Sequence, residues 1–294
     1  MACQQIDRFA AQIPTTASKP PSFVSLLQHA PGRTTLFCRP VGDMVVCMAY
    51  LGRQSSGLVV WIAVLTALMA VISLAMAITT LPHSGPYCRS DCVGYPYTDV
   101  AAFVPRDYLW MYPALVLTLL AAVLMESIHH QLALGRGLLS RIAVAFTTMG
   151  AAILVVDYAS QLTFLQSALL LGETEGLSPW SQYNPHGIFI ALENIGYGLL
   201  SFAFLFVGAA MVGTPWKLWP AAGWVFVCGG ALVLAALVLY ATVYRVRLDY
   251  RFEVAAIGVT WLVLIVAPVL LSVALVRTRP LDNDHAARPG MSRS

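Results

Sequence analysis

Two stretches place carboxyl groups where a lipid-soluble helix has reason to carry none. "AAILVVDYASQLTF" holds Asp157 and Gln161, and "PHGIFIALENIGYG" holds His186, Glu193, Asn194 and Tyr197. Asp157 and Gln161 share a helical face at i, i+4, while His186, Ile190, Glu193 and Tyr197 follow the 4-3-4 spacing of a packed seam. A charged side chain at the centre of a spanning helix costs about 2.5–3.5 kcal/mol on insertion scales, and such residues normally face a bundle interior or a wet cavity. Three chemistries suit this set. The groups can bind or relay a small solute or protons. They can serve only as interhelical glue, at about 0.6–2 kcal/mol per contact. Or Asp157, His186 and Glu193 can act as an intramembrane catalytic set, with or without a metal.

Other residues bear on chemistry more weakly. Cys88 and Cys92, in "YCRSDCVGYPY", can close a disulfide if their loop faces an oxidising compartment; the alternative is two free thiols. Glu126 and His129, in "MESIHHQ", have the Glu-x-x-His spacing of di-iron bundles, but the second copy that such a site needs is missing. Arg245, Arg247 and Arg251 form a cationic rim in "YRVRLDYRFE", solvated or on lipid phosphates, or drawing an anionic solute; Asp249 and Glu253 are placed to pair with them. There is no P-loop, GxSxG or HExxH, no CxxC pair for zinc, and no basic patch interleaved with aromatics. The expectation is therefore no cofactor, no metal and no nucleic acid.

The elements that must position these groups are membrane helices. Of the 294 residues 59% are hydrophobic and 11% charged, with a mean hydropathy of +0.74; soluble domains have roughly 25% charged residues. Residues 1–57 are polar and proline-bearing, and read as a disordered arm or as sequence ahead of a true start at Met44 or Met48. Six apolar runs follow, at about 58–80, 108–127, 141–165, 187–211, 221–244 and 253–277, each near the roughly 20 residues that cross a hydrocarbon core. A short polar tail covers 278–294. Lipid cannot satisfy free backbone groups, so the runs must be helical. The fold class is all-α, a polytopic bundle of six transmembrane helices, with the lipid bilayer as its first partner. No internal repeat relates its halves, and nothing fixes an oligomeric state.

Lys and Arg number 12 on the side that holds both termini and 5 on the other. The positive-inside rule then places the N- and C-termini in the cytoplasm, in a bacterial cell membrane. At about 1.5 Å per residue, Asp157 and Glu193 fall roughly 10–12 Å inside the outer boundary on sequential antiparallel helices. That predicts an outward-facing polar pocket between helices three and four.

The block from Asp157 to about Leu205, "DYASQLTFLQSALLLGETEGLSPWSQYNPHGIFIALENIGY" and onward, resembles uncharacterised bacterial multi-pass membrane proteins of the domain-of-unknown-function kind. The resemblance implies a membrane protein of about this size and brings no activity, substrate or cofactor with it. The topology is testable by labelling. A cysteine near Glu175 should react with an impermeant reagent applied to intact cells, and one near Gly135 should not; the reverse pattern overturns the N-in arrangement.

Overall fold

The computed structural model describes the backbone of residues 43–216 and 218–277, and side chains from Gly57 onward except those of 133–136, Val246 and Asp249. The tail expected over 278–294, Lys217 and the arm expected over 1–57, apart from helical backbone that opens at Asp43, lie outside these residues. The chain divides into a unit Met1–Gly52 and a unit Arg53–Ser294; the second carries the bundle.

Six helices among the described residues are long and apolar enough to cross a membrane: α1 Gly57–Thr79, α2 Arg106–Leu132, α3 Gly137–Leu171, α4 Ile188–Val212, α5 Trp219–Tyr244 and α6 Tyr250–Arg277. No strand occurs among the described residues. Helical assignment is continuous from α2 into α3, yet His129 Nδ1 lies 2.8 Å from Ser140 Oγ. Eleven residues of straight helix would separate those positions by about 16 Å, so the chain reverses between Leu132 and Gly137. α6 runs on through Pro268 to Arg277.

Side-chain size, more than polarity, decides which face turns inward. On α1 the buried residues include Ala63, Thr66, Ala67, Ala70 and Ser73, at helical spacing, while Leu58, Trp61, Leu68 and Ile78 are exposed. In water that pattern would be inverted; in a bilayer the large apolar side chains meet lipid, and small ones let backbones approach. The buried hydroxyls of Thr66, Ser73, Thr118, Thr147 and Ser201 each donate to a carbonyl four residues back in their own helix, so they ask nothing of neighbouring helices.

Tyr and Trp are enriched at membrane interfaces, and those at the span ends divide here: Trp61, Tyr112, Trp180 and Trp216 are exposed, but Tyr108 and Trp219 are buried in the core. An inward aromatic and an interfacial one have the same hydropathy, so sequence does not separate them.

Glycine sets the distances between α3, α4, α5 and α6. Gly150 faces the Gly196 carbonyl, Gly208 and Gly223 each face the other's carbonyl, Gly230 faces that of Ser201, and Gly229 faces Val263. A methyl group built on Gly223 would lie 2.9 Å from Gly208 O, and one on Gly208 2.5 Å from Gly223 O. These pairs form across helices, so no GxxxG within one helix announces them. Gly223→Val should therefore destabilise the bundle by about 1–3 kcal/mol through overpacking. Gly198→Ala, whose methyl would meet nothing within 4 Å, should leave thermal unfolding unchanged or slightly raised. Equal melting of both variants would show that α4 and α5 are not in tight contact.

Candidate functional site

Asp157, Gln161, Glu193 and Tyr197 are all buried, with exposures of 1%, 0%, 0% and 2%. Asp157 and Tyr158 close the regular part of α3, and a π-helical segment follows over Ser160–Leu165. Such segments insert one residue per turn and are frequent at functional sites. Gln161 lies in that segment and donates from Nε2 to Trp180 O at 2.7 Å, so it fastens α3 to the following loop. Asn194 is half-buried on α4. His186 does not join the group: it is exposed, in the turn before α4, where its backbone N–H donates to Asn184 Oδ1 at 3.0 Å. The 4-3-4 seam fails at its first member because α4 begins at Ile188.

Two residues not singled out in the sequence, Tyr158 and Trp261, complete the cluster. Trp261 Nε1–H donates to Tyr197 Oη at 3.1 Å, Tyr197 and Tyr158 hydroxyls are 2.7 Å apart, and Tyr158 O–H donates to Glu193 Oε1 at 2.8 Å. An indole N–H can only donate and each phenol owns one proton. The chain of donors is thereby directed: Trp261 to Tyr197, Tyr197 to Tyr158, Tyr158 to the Glu193 carboxyl. It joins α6, α4 and α3 at one depth.

Glu253 corrects an expectation. Among the described residues it pairs with none of the rim arginines; it is 8% exposed and turns into the bundle, within electrostatic reach of Glu193. Asp157 is within electrostatic reach of Glu193 and Glu253. Both Asp157 oxygens, Glu193 Oε2 and Glu253 Oε2 lack a hydrogen-bond partner among the described residues. Arg245 and Arg247 are exposed, and Arg251 stacks its guanidinium over Tyr244 at 4.7 Å.

The pocket is displaced from the place the sequence suggested. A cavity of about 430 Å³ opens on the α1 and α6 side, under the loops that join α1 to α2 and α3 to α4. Of the cluster only Glu253 and Trp261 reach its wall; Asp157, Gln161, Glu193 and Tyr197 lie behind them, and none of the rim arginines lines it. Its roof is a second polar group that sequence reading missed. Asp107, 3% exposed, accepts from Tyr183 O–H at 3.0 Å and from Arg106 Nε at 3.1 Å, and its Oδ2 lies 2.7 Å from His83 Nδ1. That last approach has the distance of an ion pair without the alignment of a hydrogen bond. Burial, and then the neighbouring Tyr108 and Asp107, push the Tyr183 phenol well above its ordinary pKa, so it stays a neutral donor. Tyr250, at the head of α6, donates to Gln182 O at 2.6 Å and accepts from Ser84 Oγ at 2.8 Å.

Cys88 and Cys92 are joined by a disulfide in the α1–α2 loop. Gly85, at φ +70°, packs against the Tyr250 ring, where a Cβ would fall 2.1 Å from Cδ2. The Glu126-x-x-His129 pair builds nothing: Glu126 is exposed and His129 meets Ser140. Among the described residues no group of three His, Cys, Asp or Glu is placed to hold a metal ion. No protein-family model, curated protein or solved structure matches this chain. The chemistry of the site therefore rests on its own geometry.

The directed donor chain has a measurable weak point at its middle member. Tyr158→Phe removes one hydroxyl and strands both the Tyr197 O–H and Glu193 Oε1, so it should cost about 1–3 kcal/mol. Tyr112→Phe, at an exposed ring on α2, should be silent. A thermal melt of the purified protein that separates neither variant from wild type would mean the chain carries no stability.

Proposed function

We propose that this is an integral membrane protein that binds or passes a small solute or protons through a polar site buried in its bundle. In the topology derived from loop charge, the site opens to the outer face of a bacterial cell membrane. The observation that carries the reading is Glu253: a carboxyl more than nine-tenths buried, on the wall of a 430 Å³ cavity, with one oxygen unpartnered. Behind it stand Glu193 and Asp157, whose unpartnered oxygens continue the acidic path toward α3. The volume falls in the roughly 300–1,000 Å³ range of ligand pockets.

The second reading is a structural or regulatory component in which polar residues only hold helices together. The Trp261–Tyr197–Tyr158–Glu193 bonds favour it, since each joins two helices. Asp157 counts against it. A glue residue exists to make hydrogen bonds, and both Asp157 oxygens make none among the described residues. An intramembrane enzyme built on Asp157, His186 and Glu193 has less support, because His186 is exposed and outside the cluster.

Isosteric substitutions separate the first two readings. Glu253→Gln, Glu193→Gln and Asp157→Asn keep shape while removing titratable groups. In proteoliposomes with an imposed pH gradient and an internal pH dye, the wild type should dissipate the gradient and each variant should lose most of that flux while melting normally. Flux equal to wild type in all three removes the acidic path from the function. A wild type that passes no protons narrows the reading to a solute, which is read by binding.

A further inference from the structure

The cavity wall has a composition that selects among solutes. Glu253 and Asp107 are its acidic members, and no Lys or Arg among the described residues lines it. The rest is largely aromatic and aliphatic, with Trp110, Trp261, Phe189, Tyr183, Tyr87 and Tyr250 as the large rings. Trp110 and Trp261 stand 6.2 Å apart between centroids at 56°, two ring systems at an angle on one side of the space. An anion would meet two carboxyl groups, and the one basic wall residue among the described residues, His83, already lies 2.7 Å from Asp107. A sugar-like neutral solute would find few donors and acceptors for its hydroxyls, each of which costs free energy if left unpaired. A cation with an apolar body meets neither objection. Ring faces attract an ammonium group, most strongly where water is excluded, and the Glu253 carboxyl on the wall offers it a charge-assisted hydrogen bond.

We propose that the cavity binds a small organic ammonium ion, its apolar body against Trp110, Trp261 and Phe189 and its charged nitrogen on Glu253. This rests on the reading of the cavity as a solute site. The roof fits the same ligand. Of Asp107's neighbours, Arg106 reaches it from a largely exposed side chain and Tyr183 from a buried one, so the acid is already partnered. Glu253 is left as the acceptor with capacity to spare.

The test uses full-length protein in lipid nanodiscs and three probes that share a ring and differ in charge: 2-phenylethylamine, 2-phenylethanol and 3-phenylpropionate. Binding is read from the fluorescence of the cavity tryptophans. The amine should bind at least about tenfold more tightly than the alcohol, the order expected of cation–ring attraction plus a charged hydrogen bond, and the propionate should bind most weakly. Glu253→Gln should abolish the preference of amine over alcohol while leaving alcohol binding within about twofold. Should that variant fail to fold, Trp110→Leu should weaken the amine by more than it weakens the alcohol, and benzyltrimethylammonium should compete with the amine on wild type. Equal binding of amine and alcohol, or a preference that survives Glu253→Gln, overturns the ammonium assignment and leaves the cavity as a solute site of another kind. Binding of none of the probes by folded wild type also overturns it, and the proton-flux assay then decides the underlying reading on its own.

Discussion

A carboxyl group buried in a membrane bundle must be answered by donors that the helices themselves carry, because lipid supplies none. Glu193 is fully buried on α4, and its answer is Tyr158 on α3, held in turn by Tyr197 and Trp261. Those bonds need α3, α4 and α6 at fixed separations, and glycine makes those separations available. Gly150 and Gly196 let α3 close on α4, while Gly208, Gly223 and Gly230 let α5 close on α4. Close packing thus serves the polar cluster as much as it serves the apolar core.

The cluster is answered only in part, and the proposed function rests on the part left open. A network built for stability alone is fully satisfied, since each unmet buried acceptor costs roughly 1–3 kcal/mol. Here the donors run out at Glu193 Oε1, leaving Glu193 Oε2, Glu253 Oε2 and both Asp157 oxygens without partners among the described residues. They are grouped, they are acidic, and one of their carriers borders a cavity. In the proposed reading, a proton or an ammonium group supplies what the helices withhold.

The sequence made the spans legible because the bilayer imposes length and apolarity on every one of them; the ends of α4 and α5 fall within two residues of those expected. It also singled out Asp157, Glu193 and Tyr197, since a polar residue inside an apolar run is conspicuous. What it hid follows from the same physics. Tyr158 and Trp261 read as ordinary apolar-run aromatics, with nothing local to say that their polar tips meet. Glu253 stands two residues past Arg251, where pairing in the loop is the cheaper expectation; only the turn of α6 shows that it faces inward. Asp107 and His83 come from segments whose meeting depends on how the α1–α2 loop folds, which no helical period reports. His186 was drawn in by a spacing that holds only where there is helix.

The walls of the cavity differ in how firmly they are held. α3, α4 and α6 are joined by hydrogen bonds between side chains, and α5 is joined to α4 and α6 by glycine contacts. α1 has neither device. Its hydroxyls at Thr66, Ser73 and Thr79 all close on its own carbonyls, so below the loop that follows it, only apolar contact holds it to the bundle among the described residues. That loop is tied to α6 through Ser84 and Tyr250, three residues before Glu253. Van der Waals contact alone tolerates sliding that a hydrogen-bonded seam does not. The same cavity therefore has one side tied by hydrogen bonds, which carries the carboxyl and the rings, and another, of Leu74, Ala77 and Ile78, held by apolar contact; in the proposed ammonium reading, that second side is the one free to adjust to the apolar body of the ligand.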